Sequence, residues 1–427
     1  ILYEKNIHSK LYPASITKIM LTLVALENSS LNETVTISQN AINQIGYDAA
    51  SMGVVAGEKL SMKDVLYGAM LKSANELCNA AAEHIAGSID AFVDMMNNKA
   101  KELGCKNTHF VTTNGLHDKN HYTTAYDFAL ISRAAIKNQT FRKITGTKSY
   151  TIGKTNKCNY TRTFKNHHQM LVGGNYSNIY SGCFGGKTGF TTPASNTLVT
   201  YAQKNGVEYI IVILKAKTNN SKPGLSIQYD DTKKLISEAS NNFTKHSIVK
   251  NEGSNLKDDF VSFNKYFNLE TKNNTGYISI DKNSSIMLPN NVKYSAATKK
   301  VKFNNNPNIT NGDNIIGNIN YTYNKKNVGN IDIIMKYYPK NKVTNITLPD
   351  EMTNYSLLIG DNSSNKIVNK TKNALFYIFI IVIISTLTIG FLFYIKINTS
   401  RKRRRKAYYA RRKRSRIHFR DRDMYIK

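Results

Sequence analysis

The sequence predicts an α/β architecture, an antiparallel sheet flanked by helices, followed by a small β-rich domain and a C-terminal transmembrane helix. Three observations predict it. Up to about residue 245, long apolar runs with helical spacing give way to β-branched runs, Asn196-Thr-Leu-Val-Thr-Tyr201 and Glu208-Tyr-Ile-Ile-Val-Ile-Leu214, which read as adjacent strands. Over 258–340, short runs such as Gly276-Tyr-Ile-Ser-Ile280 and Val328-Gly-Asn-Ile-Asp-Ile-Ile-Met335 alternate with Asn-Gly and Asn-Asn turn signals. Ala374 to Ile395 then gives 22 residues without a charge. At about 1.5 Å per helical residue that is long enough to cross a bilayer. With 427 residues the chain has room for two domains, 1–245 and 258–340, a polar linker over 341–372, the span over 374–395 and a basic tail over 396–427.

Along the first domain three short motifs occur in order. Ser15-Ile-Thr-Lys18 follows Tyr12-Pro13-Ala14, and proline suits a helix's first turn because its missing N–H would have no partner there. The run Ile19 to Leu26 is apolar nearly all round, as a helix at the centre of a domain should be. Lys18 lies three residues after Ser15, so both side chains share one face of the helix. A lysine in a desolvated pocket near another cation loses its proton more readily and can serve as a base. By itself the pattern also fits an N-capped core helix with a snorkelling lysine, and Ser-x-x-Lys recurs at Ser247, Ser254, Ser262 and Ser363.

The second motif, Ser73-Ala-Asn75, lies between helical patterns over 64–70 and 76–85. A hydroxyl and an amide two apart on a tight connection can face one cleft, Ser73 to pass a proton and Asn75 to hold a substrate amide. Both are also ordinary N-cap residues. The third, Lys187-Thr188-Gly189, occurs once in the chain and precedes the strands. A lysine and a threonine on a cleft-lining strand can grip a carboxylate, and Gly189 admits close approach to the backbone. Together the three describe a serine acyl-transfer site with lysine in the role that histidine fills in other serine hydrolases.

On these motifs and their flanks the chain resembles the serine D-alanyl-D-alanine carboxypeptidases, the low-molecular-mass penicillin-binding proteins. The matching stretches are Leu11-Tyr-Pro-Ala-Ser-Ile-Thr-Lys-Ile-Met20, Met70-Leu-Lys-Ser-Ala-Asn75, Asn114-Gly-Leu-His-Asp118, Tyr122-Thr-Thr-Ala-Tyr-Asp127 and Gly186-Lys-Thr-Gly-Phe-Thr191. The resemblance is close over 1–245 and looser beyond. It implies a β-lactamase/transpeptidase-like domain, with Ser15 as the acylated nucleophile and Lys18 as its general base. Ser73 and Lys187 would assist proton movement, while Asn75, Lys187, Thr188 and Gly189 would hold substrate. The N–H groups of Ser15 and Phe190 would form the oxyanion hole. The implied substrate is a peptidoglycan stem peptide ending in D-Ala-D-Ala, with β-lactams as covalent inhibitors and no cofactor.

Three departures from the family pattern stand out. Ile1 falls inside what the family uses as an early strand, so one or more N-terminal strands are expected to be missing. Ala194-Ser195 replaces the usual Ala-Gly after the third motif, and Gln228 takes the place where an arginine often helps hold the terminal carboxylate. A β-lactamase shares the three motifs, but the Glu-x-x-x-Asn that would speed deacylation is absent between Asn75 and Lys187. A catalytically impaired wall-binding module is the other alternative.

Charge sets the expected topology. The chain carries +30, and residues 396–427 hold 15 Lys+Arg against 2 Asp+Glu, or +13, which leaves +17 on 1–395. A cationic excess just after a single span marks the cytoplasmic side, placing the serine site outside a bacterial membrane. A basic ectodomain is drawn to an anionic wall. The tail, with Tyr408-Tyr409, could contact anionic lipids or nucleic acid; its position against the span favours lipid. Cys78, Cys105, Cys158 and Cys183 lack paired Cys-x-x-Cys spacing, so both disulfides and free buried thiols stay open, with packing the favoured role of Cys183. His117 and His121 sit on a loop without a His-Glu-x-x-His pattern and read as structural, and no metal site is expected.

Overall fold

The computed structural model describes residues 1–173, 179–217, 227–266, 276–305 and 307–338, and further residue 352, 355–358, 385, 388–392 and 394–409. The chain forms two compact units. The first comprises Ile1–His246 with Met287–Ala296, the second Ser247–Ile286 with Ala297–Lys427.

The first unit is built on helix α1 (Lys18–Asn28), in which every residue from Lys18 to Ala25 is buried. Its nearly all-round apolar sequence leaves no face for water. Replacing a fully buried Leu21 by alanine is worth about 2–5 kcal/mol of stability. Around it pack α2 (Gln39–Asn43), α3 (Met62–Tyr67), α4 (Asn75–Ala86), α5 (Ile89–Glu102), α6 (Ala125–Ala135) and α7 (Gln139–Gly146). Ser38, Ser61, Ser88, Thr124 and Asn138 cap five of these helices by accepting backbone N–H groups with their side chains. Small antiparallel pairs, β1 (Thr34–Thr36) with β2 (Lys59–Ser61) and β3 (Ser149–Ile152) with β4 (Arg162–Lys165), stand at the periphery. A short helix α8 (Gln169–Val172) precedes the main sheet.

That sheet is β5 (Cys183–Thr191), β6 (Ser195–Lys204) and β7 (Val207–Ala216), antiparallel in the order β5-β6-β7. Central β6 is buried from Thr197 to Ala202, and the strand's period of two divides it between two cores. Val199 and Tyr201 join the helical core with Phe141 and Ile144. Leu198 and Ala202 face Tyr229, Ile236 and Ala239 of α9 (Ile227–Asn242). The sheet is therefore covered by helices on both faces.

The second unit carries a five-stranded antiparallel sheet in the order Thr298–Phe303, Gly312–Tyr323, Lys326–Tyr337, Gly276–Ser279, Leu357–Leu358. The long hairpin turns at Asn324 and Lys325, both at positive φ. Asp258 lies in the helix Asn255–Tyr266 rather than in a β run, so the β pattern begins only after it.

One expectation needs correction. Residues 1–10 contain no strand, and Leu11 makes only a single antiparallel bridge to Thr123. Ile1 and Tyr3 are exposed there. Among the described residues no helix is long and apolar enough to cross a membrane. Most of the span over 374–395 lies outside the described residues, as do most of the linker and residues 410–427. Residues 396–409 are helical and exposed.

Candidate active site

The nucleophile's turn is strained before it is catalytic. Pro13 leads into a 3₁₀ turn, Ala14–Thr17, that runs directly into α1 at Lys18. Ala14, the residue before Ser15, sits at φ 50, a left-handed conformation that an alanine adopts at a cost of about 1–2 kcal/mol. Gly115 backs this turn closely: a Cβ there would lie 2.0 Å from the Ala14 carbonyl oxygen, and its own φ is +88. Only glycine satisfies both demands.

Lys18 is fully buried and donates to three acceptors. They are Ser15 Oγ at 3.0 Å, Asn75 Oδ1 at 2.8 Å and the Asn114 carbonyl at 2.7 Å. Burial lowers its pKa, opposed by the nearby Glu76 carboxylate. The Cys78 thiol, pushed up to about 11 by burial, stays neutral near pH 7. Glu76 itself accepts from Ser51 Oγ at 2.8 Å and Met52 N–H at 2.6 Å, tying the loop ahead of α3 to the base of the cleft.

The second motif closes a π-helical turn, Gly68–Lys72, at Ser73, whose φ of 63 is the other left-handed non-glycine of the site. Such strain collects where a side chain must be aimed. Ser73 is buried as a residue. Asn75 is the first residue of α4 and not its N-cap; Ala74 holds that position. The Asn75 amide donates to the Ala50 carbonyl at 2.9 Å while its oxygen receives Lys18, leaving one amide hydrogen for a ligand.

The third motif lies on β5, as its pattern predicts. Lys187 is buried and donates to the Thr188 carbonyl at 2.9 Å. Its pKa is lowered well below the usual lysine value by burial and then by the charge of Lys18. Two buried ammonium groups disfavour each other, so the pair holds fewer than two protons more readily than isolated lysines would. Gly189 also has a packing role. A Cβ there would stand 2.8 Å from Ser15 N, 3.1 Å from Ile16 N and 2.4 Å from Thr197 Oγ1. The missing side chain lets the strand meet the nucleophile's own turn. Phe190 is 60% exposed at the mouth.

The structure thus joins Ser15, Lys18 and Asn75 by direct hydrogen bonds and sets Lys187 within electrostatic reach of Lys18. No hydrogen bond links the side chains of Ser73, Lys187 or Thr188 to Ser15 or Lys18 among the described residues. Gln228 is buried near the start of α9, its Oε1 without a hydrogen-bond partner among the described residues. The residues that sequence reasoning left without a role are Asn114, through its carbonyl, and Glu76. The Asn114-Gly115 turn signal was the available clue to the first.

The four cysteines are free thiols. Burial pushes Cys183 up to about 11, the opposite of an activated thiol. His121 is buried in hydrogen bonds to Thr17 and to the N–H groups of Val111 and Thr112, and His117 packs edge-on to Tyr12. Both are structural. Among the described residues no group of three His, Cys, Asp or Glu side chains could hold a metal.

A family model described as D-alanyl-D-alanine carboxypeptidase matches residues 1–218. The D-alanyl-D-alanine carboxypeptidase DacF of Bacillus subtilis is 35% identical over 224 residues, which are 51% of this chain and 54% of that protein. The D-alanyl-D-alanine carboxypeptidase of Streptomyces sp. strain K15 is 32% identical over 225 residues, 50% of this chain and 75% of the relative. The chain spans little more than half the length of the Bacillus relative. A solved point mutant of the Streptomyces K15 DD-transpeptidase superposes with a TM-score of 0.50 at 30% identity, covering 56% of this chain and 91% of that one.

Proposed function

The chain belongs to the D-alanyl-D-alanine carboxypeptidase family, and we propose that it removes the terminal D-alanine from peptidoglycan stem peptides through an acyl-enzyme on Ser15. The observation that carries this reading is the 3.0 Å contact from Lys18 Nζ to Ser15 Oγ, made by a lysine whose burial favours the neutral amine. Neutral Lys18 has two hydrogens, which go to Asn75 Oδ1 and the Asn114 carbonyl, and its lone pair takes the Ser15 proton as Oγ attacks the carbonyl of the penultimate D-alanine. The bond to the last D-alanine breaks, and its nitrogen receives a proton relayed through Ser73 and the lysine pair. Water then repeats the attack on the ester and releases Ser15. The N–H groups of Ser15 and Phe190 bind the oxyanion, with Gly189 keeping strand and turn close. Lys187 and Thr188 hold the terminal carboxylate, and Asn75 contributes its free amide hydrogen to the peptide.

A β-lactam enters the same site as a cyclic analogue of the D-Ala-D-Ala amide. Mass spectrometry after incubation with penicillin and with a D-Ala-D-Ala peptide tests the reading. A lasting adduct on Ser15 together with released D-alanine supports it. Rapid turnover of penicillin with an untouched peptide overturns it in favour of a β-lactamase, and no acylation by either in favour of a wall-binding module.

For location, the uncharged run over 374–395 serves as a single membrane anchor, with the basic tail on the cytoplasmic side and against anionic lipid. The serine site then faces the wall. Protease added to intact wall-stripped cells should digest the first unit and spare the tail; the reverse pattern inverts the topology.

A further inference from the structure

Beside the acyl site lies a cavity of about 560 Å³, lined by Met52, by Lys72 and by the 161–167 segment that contains β4. Its lining includes Lys72, Arg162, Lys165 and His167 and no acidic side chain. The wall is fixed. Arg162 pairs with the buried Glu58, which also accepts Thr155 Oγ1 at 2.8 Å. Asn166 donates to the carbonyls of Thr145 at 3.1 Å and Thr147 at 3.0 Å and accepts the His168 N–H at 2.9 Å. Against this wall the side chains of Lys72, Lys165 and His167 make no hydrogen bond or ion pair with any other described residue. The cavity adjoins the chemistry at two points. Lys72 directly precedes Ser73, and the His167 ring lies within the field of Lys187, Lys72 and Lys18.

Glu58 neutralises Arg162, which leaves Lys72 and Lys165 as lining cations without a carboxylate partner among the described residues, and two such cations on one cavity make a site for an anion. Resting on the carboxypeptidase reading, the identity of that anion follows from the direction of the substrate. Only one residue follows the scissile bond, and its carboxylate goes to Lys187 and Thr188. Any second anchor beside the cleft must therefore take the part of the peptide that precedes the bond. We propose that Lys72, Lys165 and His167 form a subsite for a carboxylate carried by a residue upstream of D-Ala-D-Ala, making the enzyme selective for acidic stem peptides over their amidated forms. Desolvation, and then the lysines Lys187, Lys72 and Lys18, holds the His167 imidazole down to about 4, so it is neutral near pH 7 and its charge responds to a bound carboxylate.

The test uses the full chain and two peptides ending in D-Ala-D-Ala that differ only in an upstream side-chain carboxylate or carboxamide. The carboxylate peptide should show a kcat/KM about fivefold to tenfold higher at low salt, as two partly exposed ion pairs provide. The preference should shrink as ionic strength rises. It should vanish in Lys72→Gln/Lys165→Gln, with penicillin acylation of Ser15 reporting that the acyl site is intact. If the double variant loses acylation, Lys165→Gln alone, on the exposed side of β4, should halve the preference or more. Equal kcat/KM for the two peptides, or a preference that survives both variants, overturns the subsite. If the protein hydrolyses neither peptide, the functional reading fails. The subsite is then decided by binding of the same peptides to Ser15→Ala. Tighter binding of the carboxylate peptide with an upward-shifted His167 titration in NMR upholds it, and equal binding rejects it.

Discussion

The His121 ring grips Thr17, the last residue of the nucleophile's turn and the one that precedes Lys18. Thr17 Oγ1 lies 2.9 Å from Nε2, while Nδ1 stands 3.0 Å from the Val111 nitrogen and 3.2 Å from the Thr112 nitrogen. Two backbone N–H groups pointing at Nδ1 require that nitrogen to accept, so Nε2 carries the hydrogen and donates it to Thr17. A second proton on the ring would meet those N–H groups head-on.

The expected consequence is an acid-labile fold. Burial holds His121 down to about 3 and His168 down to about 4, whereas both titrate near 6.5 in the unfolded chain. Above that value neither state takes up the proton and nothing is lost. As pH falls from about 6.5 toward 4, the unfolded state binds protons that the folded state refuses. Each ring then removes up to about 1.4 kcal/mol of stability per pH unit. Urea unfolding between pH 7 and pH 4 should show that decline. His121→Gln should begin lower at pH 7 but decline less steeply. A parallel slope in the variant would show that His121 is not one of the groups responsible.

Acylation should depend on Ser15 and Lys18 in different ways. Ser15→Ala should abolish labelling by penicillin, because among the described residues no other hydroxyl lies in hydrogen-bond contact with the buried amine of Lys18. Lys18→Ala keeps the hydroxyl and removes the base, so acylation should slow by about 10²–10⁴-fold. Intact-mass kinetics read both, and a Lys18→Ala protein labelled at the wild-type rate would mean that the proton leaves Ser15 by another route.

Much of this site was legible because its central pair is local. Ser15 and Lys18 are one turn apart, and the third motif stands on a strand that its β-branched neighbours announce. What was hidden comes from the distance at which backbone groups meet. The Asn114 carbonyl reaches Lys18 from 96 residues away, and a backbone acceptor leaves no residue type to notice. The left-handed turns at Ala14 and Ser73 are equally silent, since neither residue favours that conformation and only the surrounding packing imposes it. Gly189 was visible as a glycine, but its neighbour was not. The helix Asn255–Tyr266 escaped because its polar, Asn- and Lys-rich sequence resembles the turns that follow it.

Lys187 should affect both binding and the pH profile. Its charge disfavours a second charge on Lys18, so Lys187→Ala should raise the pKa of Lys18 and move the acid limb of acylation to higher pH. The same variant loses a cation that holds the substrate carboxylate, and KM for the peptide should rise as well. A pH series of penicillin acylation separates the two effects. An unshifted limb with a raised KM would leave Lys187 a binding role alone.

The last prediction concerns the closeness of β5 to the nucleophile's turn. Gly189→Ala would place a methyl group 2.8 Å from Ser15 N and 2.4 Å from Thr197 Oγ1, so strand and turn must separate. Thr197 Oγ1 also donates to the Pro13 carbonyl at 2.8 Å, which ties the same displacement to the residue that enters the turn. Moving the Ser15 N–H away from the oxyanion by a few tenths of an ångström weakens a donor whose loss costs about 10²–10³-fold in rate. The Ser15–Lys18 contact lies within one turn and survives. Acylation by penicillin should therefore fall by up to that factor, while the pH dependence, set by the lysines, stays where it was. Rate and pH profile measured together on Gly189→Ala check this. A shifted profile would mean that the strand acts through Lys187, and an unchanged rate would mean that the Ser15 N–H takes no part in binding the oxyanion.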